Sequence, residues 1–107
     1  MEQSHPIDRL YARLESRRSA DGGRSYTASL LAKGKAECAR KVGEEAIETV
    51  IAVTGPDRTA VVKESADLLY HLLVVWLACD IRPAEIYAEL ATRESQSGLQ
   101  EKAARKS

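Results

Sequence analysis

The amino-acid sequence predicts an all-α fold: a helical bundle of about five helices built around one antiparallel helix pair. Three observations carry the prediction. Val and Ile recur at intervals of three and four residues, the helical period, and not at the interval of two that a half-buried strand needs. Phe is absent and Trp occurs once, so Leu, Ala, Ile and Val supply the apolar content, which suits close helix packing better than a sheet. Breaks rich in Gly, Pro and Asp divide the chain into segments of helical length.

The first helix starts near Pro6, a favoured first helical residue, behind Ser4 and His5. Ile7, Leu10, Tyr11 and Leu14 then follow helical spacing until Asp21-Gly22-Gly23 opens a loop. Ser25 or Thr27 caps a short helix through Leu30 and Leu31, and Gly34 ends it. A long helix follows from about Lys35 to Val53, with Ala39, Val42, Ala46, Val50 and Val53 along one side, and Gly55-Pro56-Asp57 breaks it. The segment from about Thr59 to Cys79 is apolar almost all round, which marks it as the central helix. After Asp80-Ile81-Arg82-Pro83, a fifth helix from about Ala84 to Arg93 is expected to bury Ile86, Tyr87 and Leu90. The polar tail begins at Gln96-Ser97-Gly98.

The 107 residues predict a single domain, 1–107, large enough for a core without disulfides or structural metal. Sixteen basic residues balance sixteen acidic ones, and a nucleic-acid polymer is no expected partner without a basic excess. The stretch from Leu68 to Ala78 is too short to span a bilayer, and no signal-peptide pattern opens the chain. Cys38 and Cys79 lack metal-ligand spacing and are expected as reduced thiols of a cytoplasmic protein.

Two acidic segments need a chemical explanation. In Glu44-Glu45-Ala46-Ile47-Glu48, a helix turning about 100° per residue puts Glu45 and Glu48 on one face, with Glu44 at its edge and Lys41 between them in projection. In Glu64-Ser65-Ala66-Asp67 the acids are again three apart, and His71 extends the stripe along an otherwise apolar helix. Helices joined by a loop as short as Thr54 to Arg58 pack antiparallel, which sets the two pairs face to face. Two ionised carboxylates roughly 5 Å apart repel by about 3 kcal/mol at an effective dielectric of about 20. Four of them converging call for a cation, and an all-oxygen cluster suits Mg²⁺, with Mn²⁺ as a substitute. Either acidic pair alone is common on solvated helices; the specificity lies in the two together on a hairpin. A di-iron bundle would need Glu-x-x-His on two helices, and Glu48 and Asp67 stand where those histidines belong. His71 is either a core histidine or a group assisting the acids.

Glu45-x-x-Glu48 followed by Glu64-x-x-Asp67 resembles the signature of the all-α, MazG-like nucleotide pyrophosphohydrolases. Within that superfamily the stretches 25–34, 41–50, 64–74 and 93–102 are similar to the phosphoribosyl-ATP pyrophosphatases of histidine biosynthesis; Ser25-Tyr26-Thr27 and Gln96-Ser97-Gly98-Leu99 point to this member. The resemblance implies hydrolysis of phosphoribosyl-ATP to phosphoribosyl-AMP and pyrophosphate, by a homodimer or higher assembly that completes the bundle. It also implies the form without the cyclohydrolase domain that performs the next step, because the chain is too short to hold one. On this reading Glu45, Glu48, Glu64 and Asp67 hold the metal, whose charge lets the site accept an anionic substrate and which acidifies a bound water. Glu44 and Glu48 are the candidates to orient or deprotonate that water. Lys41 is the first candidate for the leaving phosphates, with Lys33, Arg24, Arg93 and Lys102 also available, while Tyr26 and Thr27 cover the ligand.

Two other readings stand beside this one. A hydrolase of aberrant nucleoside triphosphates would share the four acids, and comparing phosphoribosyl-ATP with dUTP and dCTP separates the two. A non-catalytic helical dimerisation module would explain the apolar Leu68–Ala78 stretch but not the acids set along the same helix.

Overall fold

A computed structural model of the chain describes residues 5–18 and 25–94. The Asp21-Gly22-Gly23 break, Arg24, the tail from Gln96 and Lys102 lie outside the described residues. Among the described residues the regular structure is five helices: α1 (Pro6–Ser16), α2 (Tyr26–Lys33), α3 (Lys35–Thr54), α4 (Arg58–Ala78) and α5 (Pro83–Glu94).

Local chemistry sets the helix ends. The Ile7 amide donates to His5 Nδ1 at 3.1 Å, with Pro6 behind it as the first helical residue, so His5 is the cap. Ser25 Oγ accepts from the Ala28 amide at 3.1 Å, and Asp57 Oδ1 from the Thr59 amide at 2.9 Å. Gly34 joins α2 to α3 at φ 101°, a backbone that favours glycine. α4 ends with Asp80 in the left-handed region at φ 58°; the Ile81 amide reaches back to the Trp76 carbonyl at 2.8 Å and the Asp80 amide to the Leu77 carbonyl at 3.1 Å. That pair of bonds is a Schellman stop, built on an Asp where Gly is commoner.

The core sits around the C-terminal half of α4. Leu73, Val74, Trp76 and Leu77 pack there with Tyr11 and Leu14 of α1, Leu30 of α2 and Cys38 of α3. Tyr11 is buried yet satisfied, donating its hydroxyl to the Ile81 carbonyl at 2.8 Å. α5 returns along α1, where the Tyr87 hydroxyl donates to Asp8 at 3.1 Å.

One expectation about burial is corrected. Leu90 of α5 is 54% exposed instead of buried. On the Ala39–Val53 side of α3, Val42 and Ala46 are half-buried, while Val50 and Val53 are 62% and 61% exposed and Ala39 is exposed as well. The side of α3 that meets α4 carries buried Cys38 and half-buried Glu45, Thr49 and Ala52. The physical reason is that the polar face of α3 has the polar stripe of α4 to meet. The apolar stripe of Ile47, Val50 and Ile51 is therefore left without cover in one chain, as are Val62 and Leu69 of α4.

Candidate active site

The α3–α4 hairpin is antiparallel and brings the acidic segments together. Glu45, Glu64 and Asp67 each present a carboxylate oxygen within 4.8 Å of the others, with Glu45 and Glu64 half-buried and Asp67 exposed. Glu48 is exposed and stands outside that trio, but its charge acts on Glu64. The Glu64 carboxyl is pushed above the ordinary carboxylate range, first by loss of solvent and then by the charges of Glu48, Asp67 and Glu45. A carboxylate under that strain takes up either a proton or a cation. Three hard oxygens grouped in this way could hold a divalent cation.

The hairpin is tied together at the site itself. The Thr49 hydroxyl lies 2.8 Å from the Glu45 carbonyl oxygen and 3.3 Å from that of Glu64, so one side chain spans the backbones of two of the acids. Sequence reasoning missed Thr49, since a Thr in mid-helix usually bonds only its own preceding turn.

Glu44 is engaged elsewhere. It pairs with Arg40 and accepts from Lys41 Nζ at 3.0 Å, while Arg40 also grips Glu37 at 2.6 Å. Lys41 and then Arg40 hold the Glu44 carboxyl below the usual carboxylate range, and the Glu44 bond raises the Lys41 ammonium above its ordinary value. Lys41 is thus anchored as a cation beside the acids, in the electrostatic reach of Glu45.

Beyond Asp67 the stripe continues into an aromatic corner. His71 is 6% exposed, and burial holds its imidazole below the ordinary value, so it is neutral at pH 7. Its Nδ1 is buried without a hydrogen-bond partner. Tyr26 and Tyr70 both meet the imidazole edge-on. Thr27 is 1% exposed, and its hydroxyl lies 2.9 Å from that of Tyr70; it braces the corner from inside. Tyr26, by contrast, is 52% exposed. Lys33 is exposed at the far end of α2, about 10 Å along the axis from Tyr26 at 1.5 Å per residue. Arg93 pairs with Glu89 one turn back on α5, at 3.4 Å. Among the described residues, no helix is long and apolar enough to cross a membrane.

Comparison with known proteins bears on the same residues. A match to the phosphoribosyl-ATP pyrophosphohydrolase family covers residues 7–94, which include every acid of the cluster. The phosphoribosyl-ATP pyrophosphatase of Parvibaculum lavamentivorans is 59% identical over 99 residues, 92% of this chain and 91% of its own length. That of Azospirillum brasilense is 52% identical over 101 residues, 94% of this chain and 91% of its own. That of Paramagnetospirillum magneticum is 46% identical over 104 residues, 97% and 95% of the two chains. An acid-lined helical hairpin inside a match of this extent leaves one assignment: the chain belongs to the phosphoribosyl-ATP pyrophosphohydrolase family.

Proposed function

We propose that this chain hydrolyses phosphoribosyl-ATP to phosphoribosyl-AMP and pyrophosphate, the second step of histidine biosynthesis, in the cytoplasm. Water adds across the anhydride between the α and β phosphates, and pyrophosphate leaves. The observation that carries the proposal is the convergence of Glu45, Glu64 and Asp67 within a chain matched to the family over residues 7–94.

Glu45, Glu64 and Asp67 are the residues to hold Mg²⁺, with Glu48 completing the set from the next turn of α3. When bound, the ion offsets the charge of the phosphates and makes a coordinated water more acidic. Glu45 and Glu64 supply half-buried oxygens, and the Thr49 bridge keeps the two helices from sliding apart. Glu48 is the better base of the two candidates, because Glu44 is already committed to Arg40 and Lys41. Lys41, held in place by Glu44, offers its ammonium to the phosphate oxygens.

The uncovered stripe of Ile47, Val50 and Ile51 supports a homodimer. These residues fall at helical spacing on one face, and fully burying a Val or Ile contributes roughly 1.5–3 kcal/mol. A second copy packing there completes the bundle next to the acids. Residues 1–107 act as one domain on this reading.

The test is product analysis with phosphoribosyl-ATP, dUTP and dCTP supplied separately. Pyrophosphate from phosphoribosyl-ATP, with little from the others, supports the assignment. Preference for dUTP or dCTP would keep the acidic site and overturn the substrate.

A further inference from the structure

The aromatic corner beside the acids has a construction that binding phosphate does not explain. The chain has four Tyr, one Trp and no Phe, yet two of the Tyr meet a His here. Tyr26 and Tyr70 lie nearly parallel, 17° apart with centroids 6.2 Å apart. His71 stands perpendicular to both, at 5.7 Å from Tyr26 and 5.1 Å from Tyr70. Tyr70 is fixed from behind by the buried Thr27 hydroxyl, so the ring that backs Tyr26 is held before any ligand arrives. Tyr26, the first residue of α2 after its Ser25 cap, nevertheless leaves half its surface open.

The second observation is the imidazole. His71 is 94% buried by its 6% exposure, and its Nδ1 has no partner. A buried polar atom left unpaired is destabilising, and such atoms gather where a ligand completes them. His71 follows Asp67 by one turn on the same face of α4, and the charges of Glu45, Lys41 and Asp67 all act on it. The corner is therefore next along the stripe from the acids. A flat, half-open phenol ring on a rigid backing suits a nucleobase, since every base offers a π face and stacking needs no particular hydrogen-bond pattern.

We propose that the corner of Tyr26, Tyr70 and His71 is the purine subsite, with Tyr26 as the stacking surface and His71 Nδ1 as the atom that hydrogen-bonds the base. The proposal rests on the nucleotide-hydrolase reading and deepens it by dividing the site: phosphates on the acids and Lys41, base on the rings. It makes Tyr26 the contact surface for the base, and Tyr70, braced by the Thr27 hydroxyl, the ring behind it.

The test measures binding of AMP and of inorganic pyrophosphate separately, by calorimetry with Mg²⁺ present, on the wild type and on Tyr26→Ala, Tyr26→Phe, His71→Asn and His71→Gln. Tyr26→Ala is expected to weaken AMP by about tenfold or more, the worth of one stacked base, and to leave pyrophosphate as it was. Tyr26→Phe recovers most of the loss, since the ring and not the hydroxyl stacks. His71→Asn, which keeps a polar atom near the Nδ1 position, holds AMP better than His71→Gln, whose amide sits nearer the Nε2 position. Equal weakening of AMP and pyrophosphate by Tyr26→Ala, or no weakening of AMP, would overturn the subsite. So would a wild type that binds pyrophosphate but not AMP. Because Tyr26 is exposed, its variants decide the matter even where a His71 variant fails to fold. A wild type that shows the AMP pattern but releases no pyrophosphate from phosphoribosyl-ATP would overturn the reaction and leave the subsite standing.

Discussion

The hydroxyl of Thr49 reaches across the helical hairpin to the backbone carbonyl oxygen of Glu64, 3.3 Å away, while lying 2.8 Å from the carbonyl oxygen of Glu45 on its own helix. Two of the three clustered acids are thus joined through their backbones by a third residue that carries no charge. This fixes the register of α3 against α4 at the level of the site, where the core contributes little: Cys38 is the α3 residue in the buried cluster, and it lies near the other end of the helix.

Replacing Thr49 by Val keeps the shape and removes the bridge. Thr49→Val is expected to cost about 1 kcal/mol in chemical denaturation, the usual net worth of a hydrogen bond. It is also expected to weaken Mg²⁺ binding by about tenfold or more, as loss of an outer support does at metal sites. Unchanged Mg²⁺ affinity would show that the bridge does not set the positions of the acids.

Glu64 makes the ion-free protein sensitive to pH. Its folded carboxyl binds a proton more readily than its ordinary value of 4.5 allows. The stability it contributes is present in full below 4.5 and is lost as pH rises through the raised folded value. In EDTA, Glu64→Gln should therefore melt progressively above the wild type as pH climbs from 4.5 to 7. Saturating Mg²⁺ should close or reverse that gap, since an ion bound only by the folded state stabilises it. A difference independent of both pH and Mg²⁺ would mean that Glu64 is not under the strain described.

Glu44 and Glu48 are expected to separate kinetically. Glu48→Gln should lower kcat by about a hundredfold or more, the usual worth of a positioned base. Glu44→Gln frees Lys41 and should mainly raise KM for the nucleotide. Steady-state kinetics on the two variants distinguishes them, and the opposite order would move the base to Glu44.

The outward valines and isoleucines predict assembly. Ile47→Asp combined with Ile51→Asp, both at positions about 60% exposed in one chain, should convert dimer to monomer in sedimentation experiments. A wild type that is already monomeric at micromolar concentration would remove the role given to this stripe.

Much of this architecture is legible in the sequence because each break carries its own chemistry. Pro6, Ser25, Gly34 and Asp57 stand at or beside the helix ends they mark, and the three-residue spacing of the acids together with the short Gly55–Pro56–Asp57 link brings them face to face. Three features were not legible. The outward turn of Val50 and Val53 was hidden because periodicity identifies an apolar face but not what covers it. The commitment of Glu44 to Arg40 and Lys41 depends on rotamers that spacing alone leaves open. Thr27 read with Tyr26 as cover for the ligand because both lie on a segment between two breaks, but adjacent helical residues point about 100° apart, and the one that faces inward is buried against Tyr70.

The most direct measurement is pyrophosphate release from phosphoribosyl-ATP as Mg²⁺ is titrated from zero, in the wild type and in Asp67→Asn. The wild type should be silent in EDTA and saturate with Mg²⁺, while Asp67→Asn should fold, lose most turnover and need far more Mg²⁺ for what remains. Full turnover in EDTA, or wild-type turnover and Mg²⁺ dependence in Asp67→Asn, would contradict a metal site on Glu45, Glu64 and Asp67.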